Sequence, residues 1–153
     1  MKNTMIVAVL VSITACAGPT PYQQKYYSNS TTSSTTGGYS GLWKESIEVA
    51  RSIAQSNEAL KGQSDEILIE TAKKTAADGM KDPSSVQFRR VEIKMFKGNR
   101  IVCGELNAKN SYGGYVGFKK FIAGVSGFLI EKTDNKYPQI TKAANAGIRI
   151  ACS

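Results

Sequence analysis

The 153-residue chain carries a formal net charge of +8 and contains no histidine. The missing imidazole excludes Ser-His-Asp and Cys-His nucleophiles and histidine-ligated zinc. The positive balance suits anionic neighbours such as lipid headgroups, phosphates or an acidic protein.

The chain opens with MKNTMIVAVLVSITAC. Lys2 supplies a basic start, and Met5 to Ile13 is an apolar run too short to span a bilayer as a helix. Small residues then lead into Cys16. The stretch resembles the lipobox of bacterial lipoprotein signal peptides. That resemblance implies a signal peptide over residues 1–15, with Cys16 as the lipidated first residue of the mature chain. Several acyl chains hold a membrane firmly, because each buried methylene adds about 0.8 kcal/mol. Ala17 instead of Asp implies outer-membrane sorting and a periplasm-facing domain. Loss of Lys2 with the signal leaves a charge of +7. A tethered protein in that compartment is not expected to meet nucleic acid.

Residues 16–40 follow the signal as a tether rich in Ser, Thr, Gly and Tyr. Such a composition buries too little apolar surface to offset chain entropy. At this length it spans roughly 25–30 Å.

Residues 41–62 predict a helix ended by Gly62, with Trp43, Ile47, Ala50 and Ala54 at helical spacing. It stands apart as a segment that can be peripheral to the domain of residues 63–153. Within that domain, residues 64–80 predict a second helix, with Ser64 as N-cap and Asp65 and Glu66 in its first turn. Leu68, Ala72, Thr75 and Ala76 form a narrow face suited to lying on a sheet. Strands follow. Val91, Ile93 and Met95 alternate with Arg90, Glu92 and Lys94, predicting a half-buried strand. A tight turn at 97–100, with Gly98 first of its two central residues, leads to a partner strand over 101–107. Further strands are expected over 115–123 and 128–131. Residues 133–145 read as a long connection, and 147–152 as a final strand. The expected fold class is α+β: one or two N-terminal helices on a small, mostly antiparallel sheet.

DPSSVQFR at 82–89, VCGELNAKN at 102–110 and GGYVGF at 113–118 resemble a small domain of proteobacterial and phage-encoded envelope proteins. The similarity covers residues 65–152 and implies a fold and a compartment, with no reaction attached. With Cys16 lipidated, Cys103 and Cys152 remain as a candidate disulfide in an oxidising compartment. Closing a loop of that length is worth about 4 kcal/mol in the chain-entropy treatment.

Asn107, Lys109, Asn110, Tyr112 and Tyr115 form the candidate recognition loop. Asn side chains suit its turn, and Gly113 and Gly114 allow the chain to restart as a strand. The bland alternative is a hairpin that only satisfies its own backbone. Ser111 near Lys109 gives a weak Ser-Lys pattern, and Glu105 is a carboxylate without a spaced partner. No catalytic residue, cofactor or metal site is expected.

The sequence therefore points to a non-enzymatic binding or accessory lipoprotein, held to the membrane by its lipid. Its expected partner is an envelope protein or an anionic glycan or lipid. The alternative is a phage or prophage lipoprotein that masks a receptor or excludes entry. A lysozyme-type inhibitor is disfavoured by like charge, and a peptidoglycan-acting enzyme by the missing catalytic set.

Overall fold

The structure is a computed structural model and describes residues 38–134 and 136–153. Cys16, the signal-like stretch and residues 17–37 of the tether lie outside the described residues.

Four strands form one antiparallel sheet in chain order: β1 Gln87–Phe96, β2 Asn99–Asn107, β3 Lys119–Ala123 and β4 Phe128–Ile130. Helices cover both faces. α1 (Gly38–Ser56) and α4 (Ala146–Ala151) pack on one face, and α3 (Pro138–Ala144) packs against α1. α2 (Asp65–Asp78) packs on the other. The expected α+β class, with N-terminal helices on an antiparallel sheet and one disulfide, is what the chain adopts.

The sheet needs two covers because β2 is apolar on both sides. Ile101 and Cys103 face α1 and α4, together with Phe96, Ile122 and Leu129. Val102 and Leu106 face α2, together with Phe121 and Ala123. α1 is therefore no peripheral element. Its Ala50, Ile53 and Ala54 are completely buried. Its helix is followed by a single 3-10 turn, Asn57–Leu60. There Asn57 is buried and donates to the Arg100 carbonyl (2.7 Å) while accepting from the Val125 amide (2.9 Å). One side chain thus joins the end of α1 to β2 and to the β3–β4 turn. Arg100 ties down the next connection, donating to the Leu60 and Gln63 carbonyls and to Asp65.

α2 buries Leu68, Ala72 and Ala76, the small-residue face expected. Ser64 holds the N-cap position, but its hydroxyl does not cap a backbone amide. The Glu66 carboxyl is held below its ordinary range first by its own backbone N–H and second by Ser64.

β1 departs from simple alternation. Arg89 pairs with Glu105 and Glu92 with Cys103, so one extra residue bulges out. The bulge contains Arg90, at φ 51°. It keeps Phe88, Val91 and Ile93 on the α2 side despite their mixed parity. Met95, expected inside, is 67% exposed, and Phe96 is buried on the opposite face. The β1–β2 turn has Lys97 and Gly98 as its central residues, both at positive φ. Glycine is thus second, not first, as suits a primed turn.

The C-terminal region differs most from expectation. Residues 133–145 contain α3, and residues expected as a final strand form α4. Ile148, Ala151 and Cys152 turn to the core at helical spacing, while Ile150 is exposed. The junction of α3 and α4 lies directly on α1. Buried Ser46 donates to the Ala144 carbonyl (2.7 Å) and accepts from the Gly147 amide (2.9 Å). A Cβ on Gly147 would collide with the Ser46 carbonyl oxygen, so only glycine allows this approach.

Cys103 and Cys152 form the disulfide, with Cα atoms 5.9 Å apart. It fastens the end of α4, not a strand, to the centre of the sheet. Cys103→Ser and Cys152→Ser are expected to lower thermal stability equally, each by about 2–5 kcal/mol. Calorimetry checks this, and the double variant should lose no more than either single one.

Candidate functional site

The structure turns the expected recognition loop into a defined object. β2 ends at Asn107, and the chain does not resume as a strand until Lys119. The strand expected over 115–123 is thus shortened to its second half. An isolated bridge between Lys109 and Tyr115 closes the loop at its base.

Asn110 organises the interior. Its side-chain oxygen accepts from the amides of Tyr112 (2.9 Å) and Gly114 (3.0 Å). Its backbone exchanges bonds with Gly113 and Gly114. Gly113 sits at φ 79°, a conformation that L side chains rarely adopt. The Asn110 side-chain oxygen and backbone are thus occupied in building the loop, while the residue itself is exposed.

The loop is also fastened to the domain from outside. A 3-10 turn, Pro83–Ser85, lies between α2 and β1. Ser85, buried, is the staple. Its hydroxyl donates to the Asp82 carbonyl (2.8 Å) and accepts from the Lys109 amide (3.2 Å). Its own carbonyl accepts from the Tyr115 hydroxyl (3.2 Å). The Asp82 carboxyl is held below its ordinary value by the Ser84 hydroxyl above all, and Lys109 adds a smaller coulombic pull.

What this frame presents outward is aromatic and cationic. Tyr112 is 96% exposed, and Tyr115 and Val116 are each about half exposed. The Lys109 ammonium lies 5.6 Å from the centre of the Tyr115 ring. The Arg89 guanidinium stacks on Phe118 at 3.8 Å. Arg89 also pairs with Glu105, which Arg90 approaches from the bulge at 3.5 Å. Glu105 is thus the buried-side anchor of two arginines, a positioning role and not that of a lone acid. Asn107 is buried at the foot of the loop, and its side-chain oxygen has no hydrogen-bond partner among the described residues.

The expected site residues therefore divide. Lys109, Asn110, Tyr112 and Tyr115 come together in one loop, and Asn107 lies beneath it. Cys103 and Cys152 meet elsewhere, in the core. Arg89 and Phe118 join the site although their spacing in the chain does not show it, because the bulge brings them across. Ser111 has a lysine within reach, but it is Lys81 from the end of α2 (2.7 Å) and not Lys109. Both groups are exposed, so the burial that makes a lysine a base is missing. Among the described residues no group of three or more Asp, Glu or Cys is placed to hold a metal ion. Among them, too, no helix is long and apolar enough to cross a membrane.

Comparison with protein-family models, with curated proteins and with solved structures finds no match to this chain.

Two outcomes follow for the stapled loop. Ser85→Ala removes one hydroxyl that serves two backbone groups, and should cost about 1–2 kcal/mol. Hydrogen exchange should speed up over residues 108–117 before any other segment. Acid should act on the same joint. Because the folded Asp82 value is depressed, its stabilisation is complete above the unfolded value of 3.8 and is lost as pH falls through the lower folded value. Exchange over residues 82–85 and 109–115, measured at stepped pH, should rise only in that acidic window.

Proposed function

We propose that this chain is a membrane-anchored, periplasm-facing lipoprotein that works as a binding module of the bacterial envelope and catalyses no reaction. The observation that carries the binding reading is the stapled loop. Its backbone demands are met internally by Asn110 and externally by Ser85. Yet it holds Tyr112 and Val116 out in solvent beside Lys109 and the Arg89–Phe118 stack. An ordered loop loses little entropy on binding, and aromatic side chains beside cations are strong contact groups.

Two further points support the compartment. The lipobox-like approach to Cys16 supplies the anchor, and the remaining two cysteines are joined as a disulfide, which persists in oxidising compartments. A lipid anchor with a flexible tether raises the effective concentration of the module near the membrane. The partner fitted by this surface is an envelope protein or glycan with anionic groups at its contact. The dispersal of the carboxylates supports the non-enzymatic reading: Glu105 is taken by Arg89, and Glu92 pairs with Lys94.

The reading is tested in cells by crosslinking capture, comparing the parent with Tyr112→Ser/Val116→Ser. Both side chains are exposed, so the pair should leave folding unchanged. A specific envelope component captured by the parent should disappear with the variant. Equal capture by both would remove the loop from the interface. In parallel, Cys16→Ser should release the domain from the membrane fraction with its melting temperature intact. Membrane retention of that variant would sink the anchor.

A further inference from the structure

A second concave surface lies away from the tip of the stapled loop. It is a cleft of about 320 Å³ between the β3–β4 end of the sheet and the two C-terminal helices. Lys120 and Lys132 reach it from the sheet side, and Lys142 and Arg149 from the helix side. Elsewhere on the domain, cations commonly meet carboxylates: Arg51, Lys73, Lys74 and Arg100 all do so within 3 Å. Among the described residues, none of the four cleft cations has a carboxylate within 4 Å.

Two carboxylates do line the cleft, and both have backbone donors. Glu131 accepts from the Lys120 amide (3.3 Å), and Asp134 from the Lys136 amide (2.8 Å). The lining thus keeps an excess of two positive charges. Its two walls are held at fixed separation by Asn145. That side chain accepts from the Lys132 amide (2.9 Å) and donates to the Lys132 carbonyl (2.8 Å). The Arg149 guanidinium also lies 5.2 Å from the Trp43 ring centre.

We infer that this cleft binds a phosphate group. Cationic side chains line the cleft from both walls, and an anion with three or four acceptor oxygens can meet more of them than a two-oxygen carboxylate can. Arg149 can supply a planar fork, and the lysines compact charges. The same chemistry is offered by a free phosphate ester and by a phospholipid headgroup. The inference is independent of the proposed anchor and of the loop.

The test uses the full chain in neutral detergent micelles at constant ionic strength. Backbone amide shifts are followed during titration with inorganic phosphate, and separately with micelles carrying phosphatidic acid or phosphatidylcholine. Saturable shifts confined to residues 131–134 and 141–149 are expected. Lys120→Gln/Lys142→Gln/Arg149→Gln should weaken binding about tenfold or more. A charge-matched control, Lys44→Gln/Lys61→Gln/Lys97→Gln, should bind as the parent does, and Lys120→Arg/Lys142→Arg should retain binding. Saturation by inorganic phosphate alone marks a soluble ligand. Saturation by phosphatidic acid alone, without phosphatidylcholine, marks a headgroup. Either supports the cleft. Equal weakening in both glutamine triples would reduce the effect to net charge and overturn the inference. So would the absence of local shifts with both phosphate probes.

Discussion

Ile101-Val102-Cys103 is an apolar run in the second strand of a four-stranded sheet, and a strand without a polar face must be covered twice. The rest of the fold follows from that requirement. One cover is α2, whose small residues let it lie close. The other is α1 together with α4, elements from opposite ends of the domain, with α3 lying against α1. Antiparallel sheets often leave one face to water. Here what is left to water is much of the edge strand β1 and the strand ends beside the loop.

Closing the second cover imposes tight local conditions. α1 must touch the α3–α4 junction so closely that Gly147 has no room for a Cβ, and Ser46 must satisfy backbone groups on both sides of the junction. The disulfide then joins the last helix to Cys103, at the centre of the same face. Asn57 does a related task with hydrogen bonds, binding α1 to two separate parts of the sheet. Buried polar groups of this kind are tolerable because each has its partners. Asn107, with an unpartnered oxygen at the foot of the loop, is the exception among the described residues.

The exposed part of β1 and the loop end of the sheet are where the polar chemistry gathers. On β1 the bulge places Arg89 and Arg90 against Glu105, and Arg89 against Phe118. Lys120 stands opposite Glu105 on the next strand, at the start of the basic cleft. Loop and cleft are thus two cationic surfaces toward the same end of the sheet, the cleft walled on one side by the C-terminal helices. The loop offers aromatic area with fixed geometry, and the cleft offers concave charge. The chain's positive net charge adds a long-range attraction for anions to both surfaces.

Local pattern was enough for much of this. The spacing of Leu68, Ala72 and Ala76 placed α2, and Cys103 and Cys152, the two cysteines left after the expected lipidation site, pair as expected. The Asn and Gly residues of 107–114 marked a structured turn, because an Asx turn and a positive φ are properties of a few adjacent residues. The partners of that turn were not legible. Ser85 and Lys81 come from the far side of β1, and no periodicity reports a contact across twenty or more residues. The last segment shows the limit most clearly. Gly147-Ile148-Arg149-Ile150 alternates like a strand, yet it folds as a helix because Ile148, Ala151 and Cys152 must meet the face of α1 and the Cys103 sulfur together. Short apolar segments fit either period, and packing decides between them. Composition and local order thus determined the compartment expected for the chain, its class of fold and the self-contained turn. Tertiary structure alone decided which face each helix covers, and so where the arginines, the loop and the cleft are left exposed.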